Sequence, residues 1–285
     1  MRLIRVHPRP IKMNLIEVQN LTKHFARGGG MWGDKSGVVK AVEDVSFTIA
    51  QGEVLGLVGE SGSGKSTTGR LILRLIEATS GKVSYNGRDV FALPKNEMRA
   101  LRREMQIVFQ DPYGAFNPRM TVGNIIGEAL ELRGLKSRRE RDEEISKLLE
   151  MVQMPTNIGG RYPHEFSGGQ RQRLGIARAL AVEPKFIVAD EPVSALDVST
   201  QAEIVNLLLD LQSRLNLTML FISHDLSVVK VLCDRVAVMQ NGKIVEIADS
   251  AQLFSSPRQT YTQELLAAIP VPDPTRARRT LMARG

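Results

Sequence analysis

Cysteine is almost missing from this sequence. Cys233 is the only one among 285 residues, which excludes a disulfide within the chain and any metal cluster built from several of its own thiolates. Long apolar runs are missing too. No uninterrupted stretch reaches the roughly 18 apolar residues that a membrane-crossing helix needs. The N-terminal residues contain neither the apolar stretch nor the small-residue cleavage site of a secretory signal. No internal repeat is visible, which sets solenoids aside.

Excess acid is absent as well: the net charge is +7. Its placement matters more than its size. Arg2, Arg5, Arg9 and Lys12 stand in residues 1–12 without an acid, and Arg276, Arg278, Arg279 and Arg284 face only Asp273 in residues 271–285. These two tails account for the whole surplus, so the body between them is formally neutral and offers no basic groove for nucleic acid. The tails read as solvated ends, with anionic headgroups as the alternative contact. Met13 offers a second candidate start.

What is present suits a folded domain: 42% apolar and 24% charged residues. Alternation over 15–25 and again through Val42, Val45, Phe47 and Ile49 predicts an antiparallel β region, with a flexible loop of five glycines at 26–37 between them. The character then changes. Val54–Val58, Ile107–Phe109, Phe186–Ala189 and Met219–Ile222 are short apolar runs, as expected of buried parallel strands. Helical spacing occupies Ser66–Ile76, Arg171–Leu180, Ala202–Leu215 and Leu226–Leu232. Asn86-Gly87 and Asn241-Gly242 predict hairpins, the second joining Val236–Met239 to Lys243–Ile247. Between 111 and 170, helical periodicity in Val122–Leu132 and Ile145–Val152 flanks a charged run, Lys136–Glu144, predicting a helical subdomain with a solvated face. Strands alternating with helices imply an α/β fold with a largely parallel sheet covered on both faces.

Three motifs carry chemistry. Gly59-Glu60-Ser61-Gly62-Ser63-Gly64-Lys65-Ser66, with Thr67 adjoining, fits G-x-x-x-x-G-K-[ST] between a predicted strand and a predicted helix. Glycines let backbone N–H groups wrap a phosphate closely, and the helix N-terminus adds positive potential. Lys65 is placed to reach the β/γ-phosphates and the Ser66 hydroxyl to ligate Mg²⁺. Next, Phe186–Ala189 ends in two carboxylates: Asp190 to hold Mg²⁺ and Glu191 to polarise an attacking water. Last, Phe166-Ser167-Gly168-Gly169-Gln170-Arg171 precedes a helix and makes a second anion site. One phosphate loop with two phosphate-binding helix ends implies that the second end serves a nucleotide held by another subunit.

In this order the motifs resemble the nucleotide-binding subunits of ABC transporters, over residues 14–270. The resemblance implies a P-loop NTPase core with a parallel sheet, an antiparallel β subdomain and an inserted helical subdomain. It divides the chain into a basic extension at 1–13, an ATP-binding core at 14–110 and 171–250, a helical subdomain at 111–170 carrying the signature, and a C-terminal extension at 251–285. It assigns Phe25 to adenine stacking and Gln110 to Mg²⁺ and water. It assigns Ser194-Ala195-Leu196-Asp197 to a loop crossing a dimer interface and His224 to the γ-phosphate. Ser167, Gly168, Gly169 and Gln170 contact the partner's ATP. Phe166 stands where leucine is commoner.

A narrower resemblance, to oligopeptide and dipeptide importer ATPases, lies in residues 111–120, 162–170 and 261–270. The cysteine-rich iron–sulfur cluster of some such relatives is lacking here. The resemblance implies an ATPase peripheral to the cytoplasmic face of the membrane. It works with a second ATPase subunit (itself or a paralogue), two transmembrane permeases and an extracytoplasmic solute-binding protein. Peptides or similar small solutes are the cargo, nickel, glutathione and opines staying open. Two rivals are an ABC-type ATPase acting on nucleic acid or ribosomes and a non-hydrolysing scaffold subunit; intact Lys65, Glu191 and His224 disfavour the latter.

Overall fold

The computed structural model describes residues 13–26 and 37–268. Both basic tails and nearly all of the predicted glycine-rich loop lie outside those residues. Strand β1 (Asn14–Ala26) pairs antiparallel with β2 (Val38–Ala50), and Val42, Val45, Phe47 and Ile49 are buried as their spacing predicts. The apolar run Val54–Val58 becomes β3, buried at every position. Helix α1 (Lys65–Ile72) follows, then β4 (Ser80–Tyr85) and β5 (Arg88–Asp89). Asn86 and Gly87 make the hairpin turn between these two strands, both with positive φ, 46° and 77°. One four-stranded sheet results, in the order β2-β1-β4-β5.

After helix α2 (Lys95–Glu104) and strand β6 (Met105–Val108), the chain is helical for a long stretch. This stretch holds α3 (Pro112–Ala115), α4 (Val122–Arg133), α5 (Arg138–Met151) and two 3-10 turns at Thr156–Ile158 and Pro163–Glu165. From Arg138 on, the charged run 136–144 forms the first turns of α5, where Arg139 and Glu143 pair at 3.0 Å one turn apart. The α/β pattern then resumes with α6 (Gly168–Leu180), β7 (Phe186–Asp190), α7 (Val198–Leu215), β8 (Thr218–Ser223) and α8 (Leu226–Leu232). The predicted hairpin is β9 (Arg235–Gln240) with β10 (Lys243–Asp249), and α9 (Ser250–Ser255) and α10 (Thr260–Ala267) end the described chain.

The main sheet runs β10-β9-β3-β8-β7-β6. All its pairings are parallel except β10 with β9. Period-two alternation sends neighbouring side chains of one strand to opposite faces. Leu55 and Leu57 join a core shared with the antiparallel sheet, α1 and α2. Val54 and Val58 join the core beneath α4, α5, α6 and α7. Because β3 sits between β8 and β9, the carboxyl ends of β3, β7 and β8 open on a common crevice, where open α/β sheets bind ligands.

Two boundaries differ from the periodicity. Helix α1 stops at Ile72 rather than Ile76, because Arg74 turns left-handed (φ 48°). Its guanidinium then holds the carbonyls of Val90 and Leu93 at 3.1 and 2.7 Å. Helices α6 and α7 begin earlier than their apolar spacing indicates, since Ser167 and Asp197 cap them. Among the described residues no helix is long and apolar enough to cross a membrane.

Candidate functional site

The loop after β3 is shaped by glycine. Gly59 and Gly64 have φ of 150° and 106°. An added Cβ at Gly59 would overlap the Met239 carbonyl oxygen, and one at Gly64 the Ala41 carbonyl oxygen. The backbone can therefore lie this close to β9 and β2 only without side chains. Glu60, Ser61 and Gly62 face solvent, whereas Ser63 is buried with a hydroxyl that has no partner. An orphaned buried donor in a loop of exposed amides fits a phosphate oxygen acceptor.

Lys65 opens α1 and is 4% exposed. Its ammonium donates to the carbonyls of Gly59 and Glu60, both at 2.8 Å. Burial lowers its pKa, against the opposing charges of Glu191, Asp190 and Glu60. At the next residue, the Ser66 hydroxyl donates to Asp190 Oδ1 at 2.6 Å, with Thr67 half-buried beside it. Burial also pushes the Asp190 carboxyl up, opposed by the Ser66 hydrogen bond and by Arg70. Hydroxyl and carboxylate form an oxygen pair of the kind Mg²⁺ prefers, with phosphate and water left to complete its shell.

Glu191 leaves β7 in the left-handed region (φ 49°), with its N–H bonded to the Ile222 carbonyl at 3.0 Å. This conformation is uncommon for a glutamate. His224, just beyond β8, brings Nδ1 to 3.3 Å from Glu191 Oε2. Gln110 lies exposed just past β6. The preceding residue is fixed from behind, where Gln172 of α6 donates to the Phe109 carbonyl at 3.2 Å. Phe25, next to last in β1, is 41% exposed, with the Lys23 ammonium 4.9 Å from its ring centroid.

The signature residues form a separate cluster. Ser167 and Gln170 make a reciprocal capping box: Ser167 Oγ accepts from the Gln170 N–H at 3.3 Å, and Gln170 Oε1 accepts from the Ser167 N–H at 3.0 Å. Gly168 is exposed and Gly169 buried against α7, where an added Cβ would overlap Thr200 Cγ2. Asp197 spends its carboxylate on the start of α7, accepting from the Thr200 N–H at 3.0 Å and the Thr200 hydroxyl at 2.8 Å. A hydrogen bond from the Ser199 hydroxyl, followed by those two from Thr200, holds its carboxyl well below the usual range. Among the described residues, Ser167, Gly168, Gly169 and Gln170 make no hydrogen bond to residues 59–67. The structure thus gathers Lys65, Ser66, Asp190, Glu191 and His224 in one crevice and sets the signature apart from it.

The profile of the family described as "ABC transporter" matches residues 42–194. The chain belongs to the ABC transporter family. A Brucella ovis protein named for peptide import ATP binding is 55% identical over 95% of this chain and 83% of its own length. The oligopeptide transport ATP-binding protein OppF of Bacillus subtilis is 54% identical over 91% of this chain and 84% of its own. The ATP-binding cassette MJ0796, solved as a dimer in a post-hydrolysis state with ADP and Pi, superposes with a TM-score of 0.74. It is 30% identical and covers 82% of this chain and 98% of its own. The chain is an ATP-binding subunit of the ABC type and an ATPase.

Sequence reasoning passed over several groups around the site. Arg173 of α6, 8% exposed, donates to the Val152 carbonyl, Gln153 Oε1 and Glu203 Oε2, which joins α5, α6 and α7. Thr200 walls the signature, and Tyr261 touches the phosphate loop. None follows from a local motif, because each contact joins residues far apart in sequence.

Proposed function

We propose that this ATPase powers the import of peptides or similar small solutes, as the nucleotide-binding component of a membrane complex. The observation that supports its chemistry is the convergence of Lys65, Ser66, Asp190, Glu191 and His224 at the carboxyl ends of β3, β7 and β8. The peptide cargo is carried over from the named relatives in Brucella ovis and Bacillus subtilis.

In this reading, the loop amides, the Ser63 hydroxyl and Lys65 bind the triphosphate, and Phe25 stacks on the adenine. Ser66, Asp190 and Gln110 hold Mg²⁺, which neutralises phosphate charge when bound. Glu191 takes a proton from the attacking water, and His224 orients that carboxylate and meets the γ-phosphate. Ser167–Gln170 and the Asp197 loop of a second ATPase subunit, identical or paralogous, close over the nucleotide. Neither face satisfies the triphosphate charge alone, so ATP holds the pair together and hydrolysis releases it. The Gln110 loop and the helices between 111 and 170 pass this motion to two transmembrane permeases. An extracytoplasmic binding protein delivers the solute, and this chain sits at the cytoplasmic face of the membrane.

Purification of the chain from membranes in mild detergent, with identification of what accompanies it, tests the reading. Two multi-spanning proteins and a second ATPase are expected. Recovery of ribosomes or nucleic acid with no membrane protein would overturn it.

A further inference from the structure

The segment after β10 returns to the nucleotide site. Leu253 of α9 enters the core beneath the helical layer, and the start of α10 is fixed by one carboxylate. Glu246 of β10, 8% exposed, accepts from the backbone N–H groups of Arg258 at 2.9 Å and Gln259 at 3.1 Å. Leu265 and Leu266 pack against the same core. So anchored, α10 presents Tyr261, whose hydroxyl accepts from the Glu60 N–H at 3.3 Å across 201 residues of sequence.

Glu60 is the second residue of the phosphate loop, and its backbone is held from two directions. Its carbonyl accepts from Lys65 Nζ at 2.8 Å and from the Ser63 N–H at 3.2 Å. Its N–H points outward to Tyr261. A loop with positive φ at Gly59, Gly62 and Gly64 has much backbone freedom to lose when it closes on a ligand. A tie from outside removes part of that freedom beforehand, and pre-ordering of this kind raises affinity without adding a ligand contact. The tie uses the Glu60 N–H and not the carbonyl that Lys65 holds, so it does not depend on the ammonium.

We propose that Tyr261 is a positioning residue: the C-terminal strap of this chain braces the phosphate loop through Glu60 and thereby sets its affinity for ATP. The effect on affinity rests on the ATPase reading; the brace itself does not.

Tyr261→Phe in the full-length chain tests this, because it keeps the ring and deletes only the hydroxyl. Amide hydrogen exchange of peptides spanning 55–66, measured without nucleotide, should quicken about threefold or more, with an unchanged melting temperature. The KM for ATP should rise about three- to tenfold with kcat unchanged, as expected for the loss of one neutral hydrogen bond. Tyr261→Ala should reproduce both effects and also lower the melting temperature, through lost packing of α10. Equal exchange in Tyr261→Phe and the parent chain would overturn the brace, whatever the ATPase activity. Faster exchange with an unchanged KM would overturn the link to nucleotide. Faster exchange in a chain that hydrolyses no ATP even without substitution would overturn the ATPase reading and leave the brace standing.

Discussion

The Nδ1 of His224 stands 3.3 Å from Oε2 of Glu191, across the ends of two adjacent parallel strands. The glutamate is 17% and the histidine 56% exposed at the side chain, so the carboxylate is sheltered and its partner is open to solvent. The sheltered position suits a base that must act on one bound water, and the open one suits a group that must meet a ligand.

Glu191→Gln should therefore abolish turnover while keeping shape. A general base typically contributes about 10²- to 10⁴-fold, and a loss of that size in ATP hydrolysis is expected. ATP binding should persist, and an ATP-bound dimer should accumulate on size-exclusion chromatography. Hydrolysis at the parent rate would remove Glu191 from its assigned role.

Asp190→Asn separates stability from activity. Burial raises the Asp190 carboxyl above its ordinary 3.8, so the folded chain holds this proton more tightly than the unfolded chain. Stability from this group therefore falls as pH rises from about 3.8 through the folded value. At neutral pH the ionised carboxylate is a net cost. The amide removes that charge and still accepts from Ser66, so nucleotide-free Asp190→Asn should melt about 2 °C or more above the parent. Mg²⁺-dependent hydrolysis should meanwhile collapse. A lower melting temperature would contradict the burial argument.

Much of this arrangement was legible in the sequence, for reasons that differ by element. Val54–Val58 and Phe186–Ala189 read as buried strands because a strand covered on both faces has no polar side to show. The phosphate loop reads because its glycines answer a backbone need that no other residue meets. Helix α2 leaves no such mark: only its Met98 and Leu101 are buried, too few to set a period. Apolar spacing places the starts of α6 and α7 late, because Ser167 and Asp197 act by capping, which spacing does not register. The family resemblance assigns Asp197 to an interface loop, and its carboxylate in addition caps α7. The contact from Tyr261 to Glu60 depends on tertiary folding, and nothing near either residue announces it.

Arg173 should prove a structural hub. It is almost fully buried and links the end of α5 to α7 through Val152, Gln153 and Glu203. Arg173→Ala would leave the buried Val152 carbonyl without this donor and remove the packing of the arginine stem. A loss of about 2–4 kcal/mol in urea unfolding is expected. Glu203→Ala, whose carboxylate is 63% exposed, should cost about 1 kcal/mol or less.

The last relationship joins the signature to the helix behind it. Gly169 is buried at the first turn of α6, and a methyl there would overlap Thr200 Cγ2. The threonine cannot swing aside cheaply, because its hydroxyl and N–H both bond Asp197, at 2.8 and 3.0 Å. Gly169→Ala must then push α6 away from α7 or break the Asp197 cap, and either movement displaces Ser167 and Gln170 from their places. ATP hydrolysis should fall about tenfold or more, on the order of the 1–3 kcal/mol that overpacking costs. Thr200→Ser deletes the clashing Cγ2 and keeps the hydroxyl for Asp197. Combined with Gly169→Ala it should restore most of the activity, while Thr200→Ser alone should stay near the parent. A double variant as inactive as Gly169→Ala would mean that the alanine acts at the signature surface itself, and not through its contact with α7.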